Sequence, residues 1–212
     1  MPLDVQNLGQ RVSYTEALAL QEELVSKRRD EEIMDTLLLL EHAPVYTIGR
    51  TRDQSSLQNA SHLPHEVHEV SRGGQATFHG PGQLVGYAII DLQPYGRDLH
   101  RYLRALELSL QRFCESHSVM AEQREGFTGL WVGPRKLASI GVGVRKWVTY
   151  HGFGLNLRPE ALPPFQAITP CGLNGVQMTC LANEMDTSKK LTLEDCVADY
   201  PAYLETALLE LE

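Results

Sequence analysis

Apolar positions along the chain recur with two different periods, and the change of period marks out its elements. Between Ser13 and Arg29, Ala17, Leu20 and Leu24 fall on one helical face, and Ser13 with Glu16 has capping-box spacing; this predicts a helix over 13–29. Behind Asp98, the residues Leu99, Tyr102, Leu103, Leu106, Leu110 and Phe113 repeat every three or four positions, predicting a second amphipathic helix to about Ser116. Thr192 caps a third that reaches about Leu211, with Pro201 set to break or kink it. The short apolar run 36–41 reads as a buried strand, and 45–48, Leu84 to Leu92, 128–132, 137–145 and 148–157 read as further strands. Gly133-Pro134-Arg135 and Arg145-Lys146-Trp147 supply turns between the last three. Residues 50–64 and 159–164 read as loops, the first with room for a helical turn, and 66–71 alternates weakly on its way into a glycine-rich loop. The order is helix, strands, helix, antiparallel strands, loop, helix, without repeat or linker. It predicts a single α+β domain over 1–212, a sheet layered with helices.

Composition narrows the function classes. The 212 residues suffice for one sizeable core. A net charge of −8 and a pI near 5.5 argue against nonspecific nucleic-acid binding. No stretch is long and apolar enough to span a bilayer, and Met1-Pro2-Leu3-Asp4 lacks the features of a signal peptide, so a cytoplasmic protein with no membrane contact is expected. Cys114, Cys171, Cys180 and Cys196 form no CxxC pair and no zinc-like spacing with histidine; neither a metal nor a cofactor is expected. Arg50, Arg52, Arg72, Arg135, Lys136, Arg145 and Lys146 leave room for a local basic patch on an acidic surface.

The chemistry concentrates in three places. Arg72-Gly73-Gly74-Gln75-Ala76-Thr77-Phe78-His79-Gly80-Pro81-Gly82-Gln83 sets four glycines and a proline among a cation, a hydroxyl, an imidazole and two amides, the composition of a loop that wraps a small molecule or an acyl chain. Cys171, between Pro170 and Gly172, is presented in a loop, whereas Cys114 and Cys196 lie on amphipathic helices as small core residues. Cys180 is a second thiol near Cys171. Lys136 stands at a turn exit at the mouth of an apolar strand. A positive charge ~4 Å from a thiolate is worth up to ~4 kcal/mol at an effective dielectric of ~20, enough to ionise a thiol at neutral pH. His42, His79 and His151 are the histidines that could instead serve a cysteine as base, and spacing does not choose among them.

These segments together resemble the lipoyl(octanoyl) transferase family. The resemblance runs through Glu41-His42-Ala43-Pro44-Val45-Tyr46-Thr47, residues 72–83, Lys136 with Ser139-Ile140-Gly141, His151-Gly152-Phe153-Gly154-Leu155-Asn156, and Pro170-Cys171-Gly172, over roughly residues 5–182. It implies a fold like that of biotin and lipoate protein ligases, with a mixed, largely antiparallel sheet. It implies a ping-pong reaction in which Cys171 takes an octanoyl group from octanoyl-acyl carrier protein and passes it to a lysine of lipoyl domains, those of the 2-oxoacid dehydrogenase complexes and of the glycine cleavage H protein. Lys136 would lower the thiol's pKa. Arg72, Gly73, Gly74, Gln75, Ala76, Thr77, Phe78, His79, Ser139, Ile140, Gly141, Gly152, Phe153 and Gly154 would line the acyl site. Gly154 stands where the family commonly has alanine, and Cys180 where it often has serine. Two alternatives share this sequence pattern: an ATP-dependent lipoate or octanoate ligase, which needs no cysteine, and a non-catalytic module that binds acyl carriers or lipoyl domains.

Overall fold

The strand at residues 36–42 is buried on both faces, and the rest of the architecture follows from that. A computed structural model of the chain describes residues 2–51, 54–57, 62–173, 175–186 and 191–211, with the Cys171 side chain outside the described set. Leu37 and Leu39 of β2 (Thr36–His42) join one apolar cluster, while Leu38 and Leu40 join another on the opposite face. Successive side chains of a strand point to opposite faces, so a strand covered on both sides reads as an unbroken apolar run. β6 (Gln83–Ile89) divides likewise, with Leu84 and Ala88 on one side and Val85, Tyr87 and Ile89 on the other. Helix α1 (Tyr14–Arg29) covers one face; α2 (Leu99–Ser116) and α4 (Leu193–Leu209) pack against each other over the other.

The main sheet has seven strands. β1 (Asp4–Val12) runs parallel to β2. The order continues through β6, β10 (Val148–Asn156), β9 (Arg135–Arg145), β8 (Phe127–Val132) and β7 (Glu122–Arg124), every further pairing being antiparallel. A smaller sheet sets β3 (Val45–Ile48) between β4 (Val67–Glu69), parallel to it, and β5 (Thr77–His79), antiparallel. This is the mixed, largely antiparallel α+β arrangement the sequence predicts.

Several elements differ from the sequence reading. β1 carries the edge-strand pattern Asp-Val-Gln-Asn-Leu-Gly-Gln-Arg-Val, only partly buried and broken in register at Gly9, so no apolar alternation announces it. β5 lies inside the stretch read as a loop. Ser13 precedes α1 but makes no side-chain capping bond, whereas Asp98 accepts from the His100 and Arg101 N–H groups and Thr192 forms a capping box with Asp195. Pro201 neither ends nor interrupts α4. Pro159–Ala161, Pro163–Ala167 and Pro170–Gly172 form short 3-10 turns. Lys146 and Trp147, with φ of 50° and 70°, form the two-residue hairpin turn between β9 and β10. Among the described residues no helix is long and apolar enough to cross a membrane.

Candidate active site

The glycine-rich segment is held between the two sheets. Its Arg72 side chain is buried. Nη2 donates to the carbonyls of Thr47 and Gln75, each at 2.9 Å, and to the Thr47 hydroxyl at 2.7 Å, while Nη1 donates to the Gly73 carbonyl at 2.9 Å. The guanidinium thus closes the loop on itself and fastens it to β3. The Gly73 N–H donates to Val142 O of β9 at 2.9 Å. Gly141 makes that approach possible: a Cβ there would lie 2.9 Å from Gly73 O and 3.2 Å from the Arg72 stem.

Strand alternation then sorts the loop's side chains. Thr77 and His79 face a cavity, whereas Ala76 and Phe78 point into the small apolar core with Tyr46, Ile48 and Phe165. The cavity walls are Arg72, Gly74, Ser139, Ile140, Gly141, Gly152, Phe153 and Gly154, and at one end Tyr14, Tyr87 and His151. Gly73 lines an adjoining cavity that shares Gly74, Ile140 and Gly141 with the first and also contains Lys136, Thr128, Arg50 and Leu173. Gln75 lines neither cavity; its amide covers Gly172, where a Cβ would fall 1.9 Å from Gln75 Oε1.

Lys136 is the second residue of β9, just past the Gly133-Pro134 turn as the sequence reading has it, and it is 1% exposed. Its N–H donates to Gln177 O at 2.8 Å and its carbonyl accepts from Thr179 N–H at 2.9 Å, so the chain that follows Cys171 is pinned to the lysine's own backbone. Its Nζ donates to Thr128 O at 3.1 Å and lies 5.3 Å from the Trp131 ring centroid. The stem passes Gly129, whose φ is +124° and where a Cβ would stand 3.0 Å from Lys136 Cε. Gly129 is in turn held by its N–H donating to the buried Glu107 at 2.8 Å. Cys171 belongs to the 3-10 turn Pro170–Gly172, and its side chain is outside the described residues. Leu173, two residues on, shares the cavity with Lys136.

The three histidines weighed in the sequence gather at the Tyr14 end. His42 donates from Nδ1 to Val12 O at 2.9 Å, which leaves Nε2 to accept the Tyr87 hydroxyl at 2.7 Å. Gln83 donates its amide to Phe78 O and to Asn156 Oδ1, so its oxygen accepts from His79 Nδ1–H at 2.7 Å. Asn156 passes the chain on to Thr179 O at 3.0 Å, and Thr179 binds the Lys136 backbone. Burial lowers His42 to about 4; burial and the His42 charge lower His79 to about 3; burial and Arg72 lower His151 to about 3. All three are neutral hydrogen-bonding groups near pH 7. The Tyr14 hydroxyl is raised to about 12 by burial.

Burial also raises the other thiols, Cys114 and Cys196 to about 12, and Cys180 above its ordinary value as a buried residue before α3 (Leu181–Glu184). Of the basic residues named in the sequence, Arg50 and Lys146 are exposed, and Arg50 lines the cavity that contains Lys136. Arg72 and Lys136 are buried, Arg135 pairs with Glu184 at 2.8 Å, Arg145 pairs with Glu22 at 3.4 Å, and Arg52 lies outside the described set. The sequence reading did not place Tyr14, Tyr87 or Leu173 at the site. Two of them sit in ordinary amphipathic and buried patterns, and no local motif distinguishes them. Glu41, quoted there only as motif, is buried and ties β2 to the loop exit, accepting from Gly82 N–H at 3.2 Å and from Arg158 at 2.9 Å.

Comparison with known proteins gives the family and the fold. The family model "Lipoyl protein ligase A/B catalytic domain" matches residues 13–204. An octanoyltransferase of Geobacter sulfurreducens is 53% identical over 173 residues, 82% of this chain and 72% of that protein. Among solved structures, a bipartite lipoate protein ligase with its E2 lipoyl domain from Thermoplasma acidophilum is similar with a TM-score of 0.64 at 14% identity, covering 100% of this chain and 84% of that one. A biotin protein ligase of Aquifex aeolicus in complex with biotin and ATP is similar with a TM-score of 0.63 at 13% identity, covering 98% and 71%.

Proposed function

The chain belongs to the lipoyl protein ligase A/B catalytic domain family, and we propose that within it this protein transfers an octanoyl group from octanoyl-acyl carrier protein to the acceptor lysine of lipoyl domains. The observation that carries the reading is the joint one at Lys136. Its side chain is buried at the cavity that Leu173, next to the Cys171 turn, also lines, and that cavity shares Gly74, Ile140 and Gly141 with a narrow slot. In this reading the ammonium stabilises a thiolate at Cys171 on the neighbouring turn.

In the first half-reaction the Cys171 thiolate attacks the donor's thioester carbon. The tetrahedral oxyanion collapses, the acyl–Cys171 thioester forms, and the carrier's thiolate leaves and is protonated. In the second, the neutral amine of the acceptor lysine attacks that thioester. An amide forms, the amine proton is lost, and Cys171 returns to the thiolate. One thioester exchanges for another in the first half, so it is close to balanced. The amide is more stable than the thioester it replaces, so the second half runs downhill without ATP. Burying about seven methylene or methyl groups at ~0.8 kcal/mol each gives the tail ~5 kcal/mol of binding. Lys136 is the pKa-lowering partner of Cys171 and, when neutral, the group suited to take the acceptor's proton. The acceptors are the lipoyl domains of 2-oxoacid dehydrogenase complexes and the glycine cleavage H protein.

The test is transfer with purified components. Octanoyl-acyl carrier protein and an apo lipoyl domain, without ATP, are expected to yield octanoylated domain. Modification only from free octanoate with ATP and magnesium would make the protein a ligase instead. Binding of both proteins with no modification under either condition would make it a non-catalytic module.

A further inference from the structure

Helix α2 carries a stripe at four-residue spacing beside the cavity that holds Lys136. Leu99 and Leu103 line that cavity, and Glu107 follows one turn further on. The first two are apolar. The third is a carboxylate, 0% exposed. Burying a charge is costly unless its oxygens are partnered. Glu107 Oε2 pairs with Arg104, whose side chain is half exposed, and Oε1 accepts the Gly129 N–H at 2.8 Å. A helix needs no carboxylate merely to lie on a sheet, because an apolar side chain at such a position serves at lower cost.

The bond to Gly129 reaches Lys136 through a single peptide unit. In the Thr128–Gly129 unit the N–H donates to Glu107 Oε1, and the carbonyl, Thr128 O, accepts from Lys136 Nζ at 3.1 Å. A trans peptide is planar, with its N–H and C=O pointing opposite ways, so whatever fixes one fixes the other. The β8–β9 pairs begin at Leu130 and shift in register before Trp131, and Gly129 has a φ of +124°. The unit is thus turned away from the regular ladder and takes these two bonds from side chains. The carboxylate also polarises the unit, which makes the Thr128 oxygen a better acceptor for an ammonium.

We propose that Glu107 is a positioning residue for acyl transfer: acting through the Thr128–Gly129 peptide, it holds the Lys136 ammonium in place at the cavity. The inference rests on the reading of Lys136 as the partner of Cys171 and adds the group that keeps this partner oriented. Without an acceptor at residue 107 the peptide is free to turn, and Nζ loses its fixed carbonyl. The lysine stays charged but spreads over more rotamers, so the thiolate loses part of its stabilisation. The decisive property of residue 107 is an oxygen that reaches the Gly129 N–H, rather than its net charge.

Two conservative variants of the full chain separate reach from charge. Glu107→Gln keeps an oxygen at the same length and loses the charge. Glu107→Asp keeps the charge and falls one methylene short. Alkylation of Cys171 by iodoacetamide is followed against pH, with peptide mapping to assign the thiol. Glu107→Asp is expected to slow alkylation at pH 7 by about fivefold and to move the midpoint of the profile up by about half a pH unit or more. Glu107→Gln should stay within about twofold of the wild type. In a Lys136→Met background Glu107→Asp should change the rate by less than about twofold, since the lysine it acts through is gone. If Glu107→Asp does not fold, Glu107→Met, which removes the acceptor at similar length, takes its place with the same expectations. A carboxylate that only staples α2 to β8 would lower the melting temperature of Glu107→Asp and leave the pH profile where it was, which overturns the proposal. So does a Glu107→Gln as impaired as Glu107→Asp, or a Glu107→Asp effect undiminished without Lys136. Lys136→Met alone separates the inference from its premise. A profile moved by Lys136→Met but not by Glu107→Asp removes the role of Glu107 and leaves the proposed function. A profile unmoved by Lys136→Met removes the pairing of residues 136 and 171, and this inference with it.

Discussion

Gln75 and Gly172 occupy one another's space: a side-chain carbon at Gly172 would fall 1.9 Å from Gln75 Oε1, and Gly172 has a φ of +69°. The glycine-rich segment therefore lies directly on the turn that carries Cys171, and only glycine at 172 permits it. Gly172→Ala is expected to lower octanoyl transfer at least about tenfold, through backbone strain and displacement of the Gln75 amide. Gln75→Ala in the same background should recover part of the loss. Steady-state kinetics of the single and double variants check this, and strictly additive losses would mean the two residues do not act on each other.

Gln83 links His79 to Asn156, and Asn156 reaches the Thr179 carbonyl beside the Lys136 backbone. Gln83→Ala would leave His79 Nδ1–H, Phe78 O and Asn156 Oδ1 with a lost partner in a buried place. We expect a destabilisation of about 2–4 kcal/mol, at ~1–3 kcal/mol per unsatisfied group with partial relaxation. Chemical denaturation measures it; a change below about 0.5 kcal/mol would show that the chain of bonds carries little energy.

The fold was legible where one physical signal dominated. Two amphipathic helices, their Asp98 and Thr192 caps and the continuous run of β2 follow from periodicity and burial on both faces. β1 escaped because an edge strand with a Gly9 bulge needs no alternating apolar pattern, and β5 because its neighbours are glycines. The candidate site was legible as far as its glycines and its Cys-and-Lys pairing pattern allowed. Lys136 was placed at the strand mouth, and that it is also buried was not legible, because a sequence does not show that Gly129, seven residues earlier, clears room for its stem. The histidine cluster joins residues from α1, β2, β5, β6 and β10, and no local spacing encodes such a meeting.

The cluster makes stability depend on pH. His42, His79 and His151 are held near 4, 3 and 3 in the folded chain against 6.5 when unperturbed, by burial above all. The unfolded chain therefore binds more protons between those values, and each histidine contributes stability that is present above about pH 6.5 and is lost as pH falls toward about 4. The melting temperature should be flat from pH 7 to 8 and fall steeply below about pH 6. His79→Gln should flatten that fall. A wild-type melting temperature unchanged down to about pH 5 would contradict the burial argument.

Lys136→Met exchanges a buried ammonium for an apolar side chain of similar length, so folding should be retained or improved. Cys171 loses its cationic partner, and its alkylation by iodoacetamide at pH 7 should slow by about tenfold to a hundredfold. Cys114, Cys180 and Cys196 are buried with raised pKa, so the labelled thiol is identified readily by peptide mapping. An unchanged rate would reject the pairing of residues 136 and 171.

The most direct measurement is intact-mass spectrometry of the protein after incubation with octanoyl-acyl carrier protein alone, followed by peptide mapping. The account predicts a single octanoyl group, bound through a hydroxylamine-sensitive thioester at Cys171, absent in Cys171→Ser and discharged when an apo lipoyl domain is added. An adduct on a different residue, or octanoylated lipoyl domain produced at an undiminished rate by Cys171→Ser, would contradict it.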